Sequence, residues 1–140
     1  MRYTRQMLIA ATLIVMPMLA TAQLAQTVSI STQVPFEFVV GDRVVPAGKC
    51  VLQAANAAAD TILIRNDEKM VRLFSSTSLG DARNVPTSNQ LVFHKYGERY
   101  FLTAVRVQGT RIMYWLPESK QETRLRQQDQ SSAEETIHAF

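Results

Sequence analysis

Between Thr27 and Leu116 the chain never sustains the spacing of a helix. Apolar residues alternate with polar ones or fall in short branched and aromatic runs, and several of these runs are closed by Gly, Pro, Asn or Asp. Strands have this pattern because successive side chains point to opposite faces, whereas a helix needs apolar residues three and four apart. Val28 and Ile30 share one face of a first strand over Thr27–Thr32, and Val34, Phe36, Phe38 and Val40 continue the alternation beyond Pro35, with Glu37 opposed. Gly41-Asp42 and Pro46-Ala47-Gly48 are turn signals, and Lys49–Gln53 reads as the next strand. The Ala-rich stretch 54–59 is compatible with a loop or one helical turn. Thr61–Arg65 and Met70–Phe74 flank a polar hairpin loop at 66–69. Residues 75–90 read as a long surface loop, rich in Ser, Thr, Asn and Asp.

The strongest strand pair is Leu91–Tyr96 with Arg99–Val105 around Gly97-Glu98, followed by a last strand over Arg111–Leu116. The expected fold is therefore all-β: an antiparallel sandwich or small barrel of about eight strands connected as a meander, because the links are too short for crossover helices. Beyond Pro117, Ser119 and Glu122 form a capping box and Glu122 to Arg126 is a favourable i to i+4 pair, so a short helix begins there. Only Leu125 offers that segment an apolar contact, and the rest, up to residue 140, reads as a polar, disordered tail.

The first 22 residues have a different character. Arg2 and Arg5 precede an apolar run from Met7 to Leu19, and Ala20-Thr21-Ala22 places small residues where a signal peptidase reads them. This is the order of an export signal, and the run is shorter than the roughly 20 apolar residues of a membrane span. The expectation is cleavage before Gln23, a β domain over 23–116 and a polar helix and tail over 117–140, located in the periplasm or outside the cell. No membrane span is expected after cleavage.

Charge and composition then exclude several classes. The full chain of 140 residues carries 15 basic and 12 acidic groups. Cleavage would remove Arg2 and Arg5 and no acid, leaving an excess of one positive charge, too little to support nucleic-acid binding, which depends on clustered cations. One cysteine and two histidines do not assemble the usual zinc cages, and an intrachain disulfide needs two thiols. There is no Gly-rich phosphate cradle, nucleophile-elbow serine or metalloprotease helix, so no cofactor, metal or catalytic residue is expected.

Two residues still invite chemistry. Cys50 is a nucleophile only if a neighbour lowers its pKa; Lys49 adjoins it in sequence but points to the other face of a strand, so burial or an intermolecular disulfide is the alternative. His94 would need an orienting acid, and Glu98, Asp42 and Asp60 are candidates that spacing does not separate; His138 lies in the tail. The aromatic set suits a β core, but Phe36, Phe38, Phe93, Tyr100 and Trp115 would line an apolar ligand site if the strands closed into an open-mouthed barrel.

The segments Val34-Pro35-Phe36-Glu37-Phe38-Val39-Val40-Gly41, Pro46-Ala47-Gly48, Leu91–Leu102 and Leu116-Pro117-Glu118-Ser119 resemble a group of small exported bacterial proteins associated chiefly with acidobacteria. The likeness extends to about Glu122, and its most specific part is the run from Phe93 to Leu102. Cys50 departs from the group's Tyr after Pro-Ala-Gly-x, and Arg106 replaces an aromatic residue. The resemblance implies an exported β domain and transfers no catalytic residue. The functional expectation is a non-enzymatic domain acting by contact with an envelope protein. A small carrier of an apolar molecule is the alternative, and an enzyme using Cys50 or His94 is the third reading; the oligomeric state is open.

Overall fold

Turn chemistry and strand alternation place most of the elements. In the computed structural model, which describes residues 28–56, 58–128 and 131–139, eleven strands and one helix follow in chain order. They are β1 (Ser29–Val34), β2 (Phe38–Val40), β3 (Arg43–Val45), β4 (Gly48–Ala54), β5 (Thr61–Asn66), β6 (Val71–Ser76), β7 (Ser78–Asp81), β8 (Asn89–Tyr96), β9 (Arg99–Arg106), β10 (Ile112–Trp115), α1 (Lys120–Gln127) and β11 (Ala133–Ala139). The expected leader over residues 1–22 lies outside the described residues. None of the described helices is long and apolar enough to cross a membrane.

The strands form two sheets packed as an open sandwich, not a closed barrel. The smaller sheet has the order β1-β4-β5-β6, all antiparallel. The larger runs β11-β8-β9-β10-β7, and β2 joins the start of β9 in parallel with β3 beside it. The simple meander is thus corrected. Pro35 has no N–H to continue the β1 ladder, so the chain leaves the smaller sheet at Val34 and enters the larger at Phe38. Between the sheets lie Val34, Phe38, Cys50, Ile64, Leu91 and Phe93, all essentially without solvent contact. Phe93 receives Phe36 and Phe38 edge-on, with ring centres 5.1 and 5.2 Å away.

The β5–β6 hairpin is tied to the turn before β4 by one buried amide. Asn66 Nδ2 donates to the Pro46 carbonyl at 3.3 Å, and its Oδ1 accepts from the Lys69 N–H at 3.1 Å. Gly48 is needed beside it, since its φ is +138° and a Cβ there would sit 3.1 Å from Asn66 Nδ2.

Two further expectations are corrected. The supposed long loop over 75–90 contains the end of β6 and all of β7, which pairs with β10. Short, polar edge strands carry little periodic signal because only one side of the ladder is paired. The tail expected to be disordered contains β11, whose seven residues pair antiparallel with β8 and whose Ala139 is buried. Backbone hydrogen bonds hold it, and the exposed Glu134 and Glu135 on it are typical of an edge. The larger sheet therefore has an inner face against the smaller sheet and an outer face that α1 covers at one end, where Leu125 packs on Val39, Tyr96 and Phe101.

Candidate functional site

The uncovered part of that outer face holds a cleft, and strand geometry decides which side chains reach it. On β8, Leu91 and Phe93 face the core, which turns Val92, His94 and Tyr96 outward. On β9 a bulge opposite Val92 and Phe93 leaves Thr103 unpaired in the ladder; its Oγ1 donates to the Val92 carbonyl at 3.0 Å. On β10, Tyr114 packs inward and Trp115 outward. His94, Thr103 and Trp115 line both of two adjoining hollows, of about 210 and 370 Å³.

The first lobe is bounded by α1. Ser119 caps the helix by accepting from the Glu122 N–H at 3.0 Å, half of the expected capping box. The reciprocal half is missing because the Glu122 side chain turns to the sheet instead. Its Oε1 accepts from His94 Nδ1 at 2.7 Å and from Tyr96 Oη at 3.3 Å, and the residue is only 3% exposed. A carboxylate can only accept, so Nδ1 carries the hydrogen in this contact. Burial, reinforced by the negative charge of Glu122, pushes the Tyr96 phenol above its usual pKa and keeps it a donor. The expected Glu122–Arg126 pair does not form: Arg126 reaches back to Glu118 at 3.0 Å, which raises its pKa further. The side chain of Glu122 points to the sheet, where His94 and Tyr96 meet it, and Arg126 is engaged by Glu118 instead.

The second lobe is set by Trp115 and Arg106. An added Cβ at Gly80 of β7 would lie 2.4 Å from Trp115 Nε1, so the pyrrole side of the indole rests on a strand that only glycine leaves bare. Trp115, the chain's one tryptophan, keeps 43% of its surface open to the cleft. Arg106 Nη1 donates to Gln90 Oε1 at 2.8 Å, and Nη2 donates to Asn84 at its carbonyl (3.0 Å) and Oδ1 (2.8 Å). These acceptors are neutral, and among the described residues no carboxylate forms an ion pair with Arg106. Asp81 also lines this lobe, but Arg111 holds it at 3.1 Å.

The residues singled out from sequence are distributed unevenly. Of the five aromatics expected to line an apolar site, Phe38 and Phe93 fill the core, Phe36 and Tyr100 stack on each other with centres 3.7 Å apart, and only Trp115 reaches the cleft. The space lined by Val28, Leu52, Ile62, Val105 and Tyr114 between the sheets is about 20 Å³, room for one water at most. His94 takes Glu122 as its acid, not Glu98, Asp42 or Asp60. Cys50 lies in the core on the inner face of the smaller sheet, with the larger sheet between it and His94, so the two do not converge. Burial raises the Cys50 pKa to about 11, far from a reactive thiolate. His138 bonds Ser88 at 2.8 Å on the β11 edge. Among the described residues no group of three His, Cys, Asp or Glu could hold a metal ion.

Glu122, Thr103, Arg106, Asn84 and Gly80 were not expected in a site. The signals present in the sequence were a lone Trp and a glycine in a polar stretch. No protein-family model, curated protein or solved structure matches this chain.

Proposed function

We propose that the protein is an exported, non-enzymatic β domain that acts by contact in the periplasm or at the cell envelope, through the cleft on the outer face of its larger sheet. One observation carries the reading: an exposed indole is seated on Gly80 and surrounded by oriented polar side chains, an arrangement that presents a surface to a ligand and does not fill a core. The leader and the motif resemblance to small exported bacterial proteins support the location. The apolar-carrier alternative would need an enclosed void of roughly 300 Å³ or more, and the space noted between the sheets is about 20 Å³.

The test has two parts. Mass spectrometry of the exported protein should find Gln23 at the amino terminus. The exported chain should then co-sediment with purified envelope material, and Trp115→Ala should remove most of that association while leaving the fold intact by circular dichroism. An uncleaved leader, or co-sedimentation indifferent to Trp115→Ala, would overturn the reading.

A further inference from the structure

We infer that the cleft binds an acidic saccharide, with a sugar ring on Trp115 and its carboxylate at Arg106. The inference rests on the contact reading above and names the ligand class of the same surface.

The argument begins with what the cleft offers. Trp115 is fixed from behind by Gly80, where a Cβ would come within 2.4 Å of its ring nitrogen, and it is 43% exposed in front. A rigid aromatic face loses little entropy on binding and accepts the C–H face of a ring. Around it stand groups that donate and accept in fixed directions: Thr103, the His94–Glu122 pair, Asn84 and Glu134. A fatty or purely aromatic ligand would strip water from these groups and return no hydrogen bonds. A sugar ring has both an apolar face and a rim of hydroxyls that can donate or accept.

The charge selects among sugars. Three of the four Nη hydrogens of Arg106 are engaged by Gln90 and Asn84, so the guanidinium is oriented and keeps one free N–H. Its Nε–H is covered and unpaired, and its charge is uncompensated among the described residues. Arg83 lines the same lobe, exposed and outside any ion pair of the described residues. Asp81 is neutralised by Arg111, which leaves Glu134 as the opposing free carboxylate. A single carboxylate on the ligand supplies what Arg106 lacks, whereas a polyphosphate chain would bring several charges past Glu134. The two lobes share Trp115 and have room for more than one sugar unit.

The experiment is calorimetry of the exported chain with three probes: a trisaccharide with a single galacturonic acid unit, its methyl ester, and inorganic phosphate. Trp115 fluorescence serves as a second readout. The acid should bind saturably and change the indole emission, with the ester and phosphate at least about tenfold weaker. Arg106→Gln should reduce the acid to the level of the ester, and Trp115→Ala should abolish both. Arg106→Lys keeps the charge and covers the case in which the Gln variant does not fold; it should lose part of the affinity. Equal binding of acid and ester, phosphate competing as well as the trisaccharide, or affinity unchanged in both Arg106 variants would overturn the inference. Envelope association that persists without any binding of the acid would sink the ligand class and spare the contact reading; loss of both would sink both.

Discussion

Gly80→Ala isolates the seat of Trp115 from everything else in the fold. Gly80 is not in the left-handed region, so its backbone accepts alanine without strain. The conflict is with the indole, 2.4 Å from the added carbon at Nε1 and 2.7 Å at Cδ1, where ordinary contact begins near 3.4 Å. The ring has to move by about 1 Å or swing off the strand, since β7 is held by four register pairs with β10 and the side chain is the softer partner. Because Trp115 is already 43% exposed, lifting it uncovers about half of one ring face, on the order of 50 Å², or about 1 kcal/mol. The reduced entropy of the unfolded chain returns about 0.4–1 kcal/mol. Urea unfolding should therefore shift by less than about 1 kcal/mol. The emission of the single tryptophan should move to the red, its quenching by acrylamide should rise, and envelope association should fall as far as in Trp115→Ala. Unchanged emission and quenching would show that the indole does not lie on β7. A stability loss above roughly 3 kcal/mol would show that the backbone yielded instead.

Other outcomes follow from the packing. Phe93→Ala removes a fully buried ring clasped by Phe36 and Phe38 and should cost about 3–5 kcal/mol in denaturant unfolding; a loss under about 1.5 kcal/mol would mean a loosely filled core. Cys50 should resist thiol reagents at neutral pH in the folded state. Its pKa is raised from 9.0 to about 11, so below 9 both folded and unfolded chains hold the proton, and between 9 and 11 only the folded chain does. Wild-type stability should thus fall by about 1.4 kcal/mol per pH unit across that window relative to Cys50→Ala, and parallel pH curves would contradict the burial. Removing residues 129–140 deletes β11 and uncovers the edge of β8; stability should drop by on the order of 3 kcal/mol with increased aggregation, and an unaffected truncate would return the tail to disorder.

The helix shows how local and tertiary preferences divided. Ser119 capped it as the sequence indicated, but the carboxylate three residues on took His94 and Tyr96 as partners, and Arg126 turned to Glu118. A capping box and a buried carboxylate compete for the same side chain. The buried site prevails because a polar group away from water must find hydrogen-bond partners, whereas the helix terminus can use solvent.

Alternation and turn residues by themselves determined the class of fold, the β5–β6 and β8–β9 hairpins, the turn at Gly41 and the start of α1, since each depends on neighbours within a few residues. The parallel pairing of β2 with β9, the edges β7 and β11, and the order of strands were decided only in three dimensions. They depend on which backbone edges are left unpaired once the hairpins have formed. The cleft is of the second kind. Glu122 meets His94 across 28 positions, Arg106 meets Asn84 across 22, and Trp115 finds its place because Gly80 lies on the adjoining strand. No periodicity in a chain encodes such meetings, because the register between strands, and not the spacing along one, brings those side chains to a common face.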